Sequence, residues 1–133
     1  MSKSDKSLII AGLCFIIIGI FTGMIAAHYL APLGIEDKQI ESFSTGSTYL
    51  FYNGLGFLVL SSLEAKFDFQ LKNHFRTITL GVILFAGSIF ALIMLPVIDI
   101  NISKYIWFVT PIGGALIIIG WLTILIKYLQ TYK

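Results

Sequence analysis

Leu8–Leu30 reads LIIAGLCFIIIGIFTGMIAAHYL and holds no Asp, Glu, Lys or Arg. A helix needs about 20 predominantly apolar residues to cross about 30 Å of hydrocarbon. This stretch is long enough, and it sets the solvent in which the chain folds. The rest of the composition agrees, with 57% of the 133 residues hydrophobic and only 12% charged. A soluble domain is about 25% charged, and a chain this short could not hide so much apolar surface in one water-soluble core. A single cysteine, Cys14, excludes a disulfide scaffold. A net charge of +2 with no basic stripe gives no support for a nucleic-acid partner.

Outward from that run, charges cluster and mark further spans. Glu36, Asp37, Lys38 and Glu41 follow it, then Glu64, Lys66, Asp68, Lys72 and Arg76, then Asp99 and Lys104, and finally Lys127 and Lys133. The intervening runs predict membrane helices near Leu8–Leu30, Ser44–Leu63, Thr77–Pro96 and Tyr105–Leu129. The expected fold class is all-α, an integral membrane four-helix bundle, with residues 1–133 forming one transmembrane domain. A β-barrel would need alternating polar and apolar residues in strands of about ten, which these runs lack. A signal peptide is the competing reading of the first run, since Lys3 and Lys6 precede it and Ala26 and Ala27 are small. Its apolar length exceeds the roughly 7–15 residues of such a segment, so a helix of the mature protein is expected.

Lysine and arginine set the expected orientation. Lys3, Lys6, Lys66, Lys72, Arg76, Lys127 and Lys133 fall on one side, against Lys38 and Lys104 on the other. Both termini and the central loop are therefore expected in the cytoplasm. Tyr105 and Trp107 at one end of the last span, and Tyr128 and Tyr132 at the other, read as interfacial anchors.

Inside lipid, small residues and interhelical hydrogen bonds hold helices together. Gly19, Gly23 and Ala27 are spaced by four on the first helix, with Gly12 before them, and Gly113, Gly114 and Gly120 lie on the last. Intramolecular packing is the plain reading of these positions, and a homodimer face made by Gly19, Gly23 and Ala27 the sharper one. Pro111 cannot donate to the Trp107 carbonyl, which predicts a kink inside the last span.

No charged residue lies within the hydrocarbon part of any expected span, so proton relays and ion carriers lack their usual groups. His28 and His74 fall on opposite sides and Cys14 lies far from both, so no metal site and no cofactor are expected. Uncharged polar residues gather instead in one half. Thr45, Tyr49 and Asn53 share a helix face, and Asn53 and Ser88 sit about 13 Å and about 12 Å from the outer surface. Thr110 and His28 occupy the same half, and the inner half offers almost nothing comparable. One reading is that these side chains bond to one another and fix helix register. The other is an outward-facing polar pocket formed by His28, Thr45, Tyr49, Asn53, Ser88 and Thr110, for a head group, a quinone ring or a small neutral solute. His28 alone reads as an interfacial histidine beside Glu36 or Glu41 rather than as a catalytic base.

The segments GMIAAHYL (Gly23–Leu30), FSTGSTYLFYN (Phe43–Asn53), LFAGS (Leu84–Ser88) and TPIGGALIIIGW (Thr110–Trp121) resemble the DUF423 family. These are small four-helix membrane proteins related to transmembrane protein 256. The resemblance covers nearly the whole chain. It implies a bacterial plasma-membrane location and brings no established activity. It assigns family positions to His28, to Phe43, Thr45, Gly46, Tyr49 and Tyr52, to Gly87 and Ser88, and to Thr110, Pro111, Gly113, Gly114, Gly120 and Trp121. Family members commonly carry a second histidine where this chain has Asn53, and a richer Gly-Ala run where it has Met24 and Ile25. The first departure argues against a two-histidine mechanism here.

The expected function is that of a non-enzymatic accessory or scaffold subunit, whose partners are the lipid bilayer and either a larger membrane complex or further copies of the chain. The alternative is a binder or carrier of a lipid-like or small neutral molecule through the outer-half pocket. An intramembrane enzyme built on His28 is the third and weakest class.

Overall fold

The computed structural model describes residues 3–133, with side-chain environments from Asp5 onward. The elements are α1 (Lys3–His28), α2 (Asp37–Leu63), a 3-10 turn at Glu64–Lys66, α3 (Lys72–Met94), a second 3-10 turn at Leu95–Ile98, the short α4 (Ser103–Ile106) and α5 (Val109–Thr131). No strand occurs among the described residues. The protein is an all-α bundle of four long helices, as the charge spacing predicts.

Three of the four expected spans are long and apolar enough to cross a membrane: Asp5–His28, Lys72–Ile98 and Ser103–Thr131. Helix α2 is the exception. It starts at Asp37 rather than Ser44, because Glu36 breaks into extended backbone and Asp37 enters the first turn, where an acid complements the helix dipole. Its remaining length carries Ser, Thr, Tyr and Asn, which lower its hydropathy. In compensation it is a well-covered helix, with Phe43, Leu50, Phe57 and Leu60 among its buried residues.

The last span is interrupted where Pro111 predicts. The break falls at Trp107 and Phe108, between α4 and α5, one turn before the proline, at the Trp107 carbonyl to which Pro111 cannot donate. Pro111 itself stands in the first turn of α5, after Val109 and Thr110. The N–H groups there have no carbonyl within the helix to reach, so the proline is tolerated.

Glycine decides how the helices pair. A Cβ placed on Gly54 would lie 2.8 Å from the Gly12 carbonyl oxygen and 3.0 Å from the Ile16 nitrogen. On Gly19 it would lie 3.0 Å from both the Phe51 nitrogen and the Ser47 oxygen. These are backbone atoms and cannot move aside, so α1 and α2 touch along a seam that side chains would prise open. Helices α3 and α5 meet the same way, where a Cβ on Gly81 would come within 2.8 Å of the Gly113 oxygen. Helices α2 and α3 join the two pairs, while α2 and α5 both lean on α3 and scarcely touch each other.

The buried residues fall into two clusters. The larger includes Leu8, Phe57, Leu71, Ile78, Val82 and Ile117 and lies toward the His74 end. The smaller, Ala26, Leu30, Phe43, Ile89 and Ile93, closes the His28 end, where the Phe43 ring packs 4.5 Å from that of Phe90. Elsewhere the outward helix faces remain apolar and exposed, as Ile10, Ile17, Ile20 and Phe21 do on α1 and Ile118, Leu122 and Leu125 on α5. That is the surface a lipid solvent demands.

Candidate functional site

The polar residues of the membrane helices resolve mainly into pairs, each tying one helix to another. Ser47 Oγ on α2 donates to Thr22 Oγ1 on α1 at 2.8 Å, and both residues are buried. Trp121 Nε1 on α5 donates to Asn53 Oδ1 on α2 at 2.8 Å. Ser88 on α3 and Thr110 on α5 share a 2.6 Å hydroxyl contact. Most of these hydroxyls and amides also return to their own helix. Asn53 Nδ2 donates to the Tyr49 carbonyl at 2.8 Å, Ser88 Oγ to that of Phe85 at 3.0 Å, and Thr22 Oγ1 to that of Ile18 at 2.7 Å. Unpaired polar groups are costly where no water reaches, and among the described residues Thr79 Oγ1 is the buried side-chain atom left without a partner.

The expected outer-half pocket is therefore not one convergent site. Asn53 and Ser88 are buried and bonded. His28 is exposed at the end of α1, and among the described residues it makes no ion pair or hydrogen bond with Glu36 or Glu41. Thr45 and Tyr49 are exposed on α2. They line two successive parts of a groove that opens between α2 and α5 over α3. The upper part, about 520 Å³, has Ser42, Thr45, Ser103 and Thr110 around its mouth and Phe85, Ile89, Leu92 and Ile93 along its floor. The lower part, about 370 Å³, is formed by Tyr49, Tyr52, Asn53, Ile117 and Trp121. The Tyr49 ring lies 5.0 Å from that of Phe85 and separates the two.

Trp121 closes the lower end. Its ring points the Cζ2–Cη2 edge at Gly56, where a Cβ would meet both atoms at 2.7 Å, and it stands 6.5 Å from the Phe57 ring. The small residue at 56 makes room for the indole, and the indole N–H finds its acceptor in Asn53. A tryptophan buried in lipid needs such a partner, and that need was the signal available for this pairing. The Thr22–Ser47 bond carries no comparable signal, because a helix hydroxyl bonds its own carbonyls as readily as a neighbouring helix.

The half of the bundle that holds His74 is less barren than the residue pattern suggests. His74 Nδ1 lies 2.8 Å from Thr123 Oγ1, linking α3 to α5. Near it, Tyr132 Oη donates to the Lys66 carbonyl at 2.9 Å and accepts from the Asp68 N–H at 3.0 Å. Phe67, Phe69 and Tyr128 complete an aromatic cap at that end. His74 and Thr123 are too far apart in sequence for their pairing to be visible before the fold is known. His28 and His74 do lie at opposite ends of the bundle, as α1 and α3 run parallel. Among the described residues no three His, Cys, Asp or Glu side chains come together in a way that could hold a metal ion.

The small residues divide between seam and surface. Gly19 is buried against α2, a Cβ on Gly23 would lie 4.0 Å from Ser47 Cβ, and Ala27 is exposed. Of the expected dimer face, Gly19 is thus occupied within the chain, because α2 needs it for its own close approach. Gly113 would place a Cβ against the Phe85 backbone nitrogen, Gly120 against the Ile78 side chain, and Gly114 3.5 Å from the Phe85 ring. All three serve the α3–α5 seam.

Comparison with known proteins follows the same outline. The family described as "Protein of unknown function (DUF423)" matches residues 22–114. A UPF0382 membrane protein of Staphylococcus epidermidis is 30% identical over 94% of this chain and 97% of its own length. The UPF0382 membrane protein YwdK of Bacillus subtilis is 30% identical over 93% of this chain and 99% of its own. One from Haemophilus influenzae is 28% identical over 77% of each. No solved structure matches. The chain belongs to the DUF423 family of membrane proteins.

Proposed function

We propose that this DUF423 member is a multi-pass protein of the bacterial plasma membrane that performs no catalysis and serves as an accessory or scaffold subunit in a membrane assembly. The observation that carries this reading is the pairing of the buried and half-buried polar side chains. Thr22 with Ser47, Asn53 with Trp121, Ser88 with Thr110 and His74 with Thr123 each bond across two helices. Groups so engaged fix register and are not free to move protons or attack a substrate. Interhelical bonds of this kind average about 0.6 kcal/mol, enough for specificity when several act together.

Helix α2 crosses the bilayer in this reading although its own hydropathy is low. It runs antiparallel beside α1 from Gly12–Gly54 contact to Thr22–Ser47 contact, so it occupies the same depth as a helix that spans outright. The lysine and arginine bias places both termini and the 64–71 loop in the cytoplasm. The apolar outer faces of α1 and α5 are the surfaces left for partner helices.

Purification from native membranes in mild detergent, followed by mass spectrometry, tests the assignment. A stoichiometric partner chain is expected, and a monodisperse protein with none overturns it. The groove between α2 and α5 favours a second reading, a binder of a lipid-like molecule, because it combines an apolar floor with a polar mouth.

A further inference from the structure

The lining of the upper groove specifies more than a general affinity for lipid. Three of the hydroxyls around its mouth have committed their protons. Ser42 Oγ donates to the Lys38 carbonyl at 3.0 Å, Thr45 Oγ1 to the Glu41 carbonyl at 3.0 Å, and Ser103 Oγ to Asn101 Oδ1 at 2.7 Å. Thr110 shares its 2.6 Å contact with Ser88, in which either hydroxyl can donate. A hydroxyl has one donor and two acceptor sites. What Ser42, Thr45 and Ser103 offer to the groove is therefore lone pairs. Gln39 is the amide in the lining, and no charged side chain belongs to it.

A rim of mostly acceptors, with the Gln39 amide as an uncharged donor group and no charge, selects a neutral ligand that donates a hydrogen bond. A phosphate head brings only acceptors and would find few donors beyond Gln39 to meet it. An ammonium would find no carboxylate in the lining. A free hydroxyl meets the demand, and the floor of Phe85, Ile89, Leu92 and Ile93 takes hydrocarbon. The volume of about 520 Å³ falls in the range of small-molecule sites.

From these features we infer that the α2–α5 groove binds a neutral amphiphile through its free hydroxyl, of the class represented by diacylglycerol. The inference rests on the second reading above and narrows it to one head-group chemistry. The hydroxyl sits among Ser42, Thr45 and Thr110, and the chains run down the groove toward Tyr49 and out into the bilayer.

The test is retention of lipid by the purified protein in detergent, read by native mass spectrometry. The probes are 1,2-dioleoylglycerol, the same lipid acetylated on its hydroxyl, phosphatidylethanolamine and phosphatidylglycerol. One molecule of the free diacylglycerol is expected, preferred about tenfold over the acetyl ester, the loss of one hydrogen bond. The double substitution S42A/T45V removes the preference, and Leu92→Trp, which fills the floor, removes retention altogether. Ser42 and Thr45 are exposed and bond only their own helix, so the double variant keeps its fold, as its unchanged circular dichroism will record. Equal retention of free and acetylated lipid overturns the hydroxyl assignment while leaving the groove as a lipid site. Preference for either phospholipid overturns it as well. No retention of any probe, or retention untouched by Leu92→Trp, overturns both the assignment and the reading beneath it.

Discussion

Helix α2 meets α1 and α5 in opposite ways. Against α1 it lies backbone to backbone at its glycines, with Gly54 on Gly12 and Ser47 on Gly19, and no side chain fits at those two points. Toward α5 its side-chain hydrogen bond among the described residues is the one from Trp121, whose indole bridges to Asn53 and meets Gly56. The first contact closes at the glycines and leaves a cleft of about 350 Å³ beside Gly19 and Gly23, and the second leaves a larger groove beside the bridge. In lipid the apolar side chains gain little from leaving the solvent, so closeness has to come from dispersion and hydrogen bonds. Where glycine permits contact, two helices close. Where a single large residue spans the distance, they stay apart and the gap is available for something else.

The contrast is broken most forcefully at the seam. Gly54→Val puts side-chain atoms onto the Gly12 carbonyl and the Ile16 nitrogen, and overpacking of this kind costs about 1–3 kcal/mol or more. A thermal melt in detergent, followed by circular dichroism, is expected to lose its cooperative transition or shift it sharply downward. At the bridge, Trp121→Phe keeps an aromatic ring but leaves Asn53 Oδ1 unpaired. An unsatisfied buried acceptor costs about 1–3 kcal/mol, and the same melt should move by a smaller but clear amount. Gly87 gives the reverse sign. A Cβ there meets nothing within 4 Å, so Gly87→Ala relieves the helix of a flexible residue and is expected to stabilise by about 0.4–1 kcal/mol. Smallest is Ser47→Ala, which removes the bond to Thr22 while leaving Gly19 in contact, and a loss near 0.6 kcal/mol is expected from the interhelical average.

Topology sharpens the comparison without energetics. In a Cys14→Ser background, Pro32→Cys in the turn after α1 should react with a membrane-impermeant maleimide in intact cells. Gln70→Cys in the loop before α3 should react only after permeabilisation. Labelling of both from outside breaks the claim that α2 crosses alongside α1.

Much of this was legible in the residues. Charge placement marks the helices because a charged side chain is expelled from hydrocarbon whatever its neighbours are, and small-residue spacing points to Gly19, Gly113 and Gly120 as contacts. The break before α5 was legible from Pro111, which cannot donate to the Trp107 carbonyl, while the start of α2 was not, because Asp37 acts through helix-end chemistry and not through hydropathy. The polar cluster was legible as depth and not as partnership. Thr45, Tyr49, Asn53, Ser88 and Thr110 do share one half of the bundle, but whether each faces a groove or another helix depends on the rotation of its helix. Periodicity on a single chain says which residues share a face; it cannot say which helix that face meets. For the same reason the His74–Thr123 pair was invisible, since nothing near either residue announces the other.

The bridge between Asn53 and Trp121 is where structural pairing and the open groove meet, so a double-mutant cycle there tests the central claim most directly. Stabilities of the parent chain, Asn53→Leu, Trp121→Phe and the double variant are measured in the same detergent. A favourable coupling between about 0.6 and 1.7 kcal/mol is expected, as for other interhelical hydrogen bonds in membrane proteins. Additive effects with no coupling would contradict the claim that these polar side chains tie the helices together.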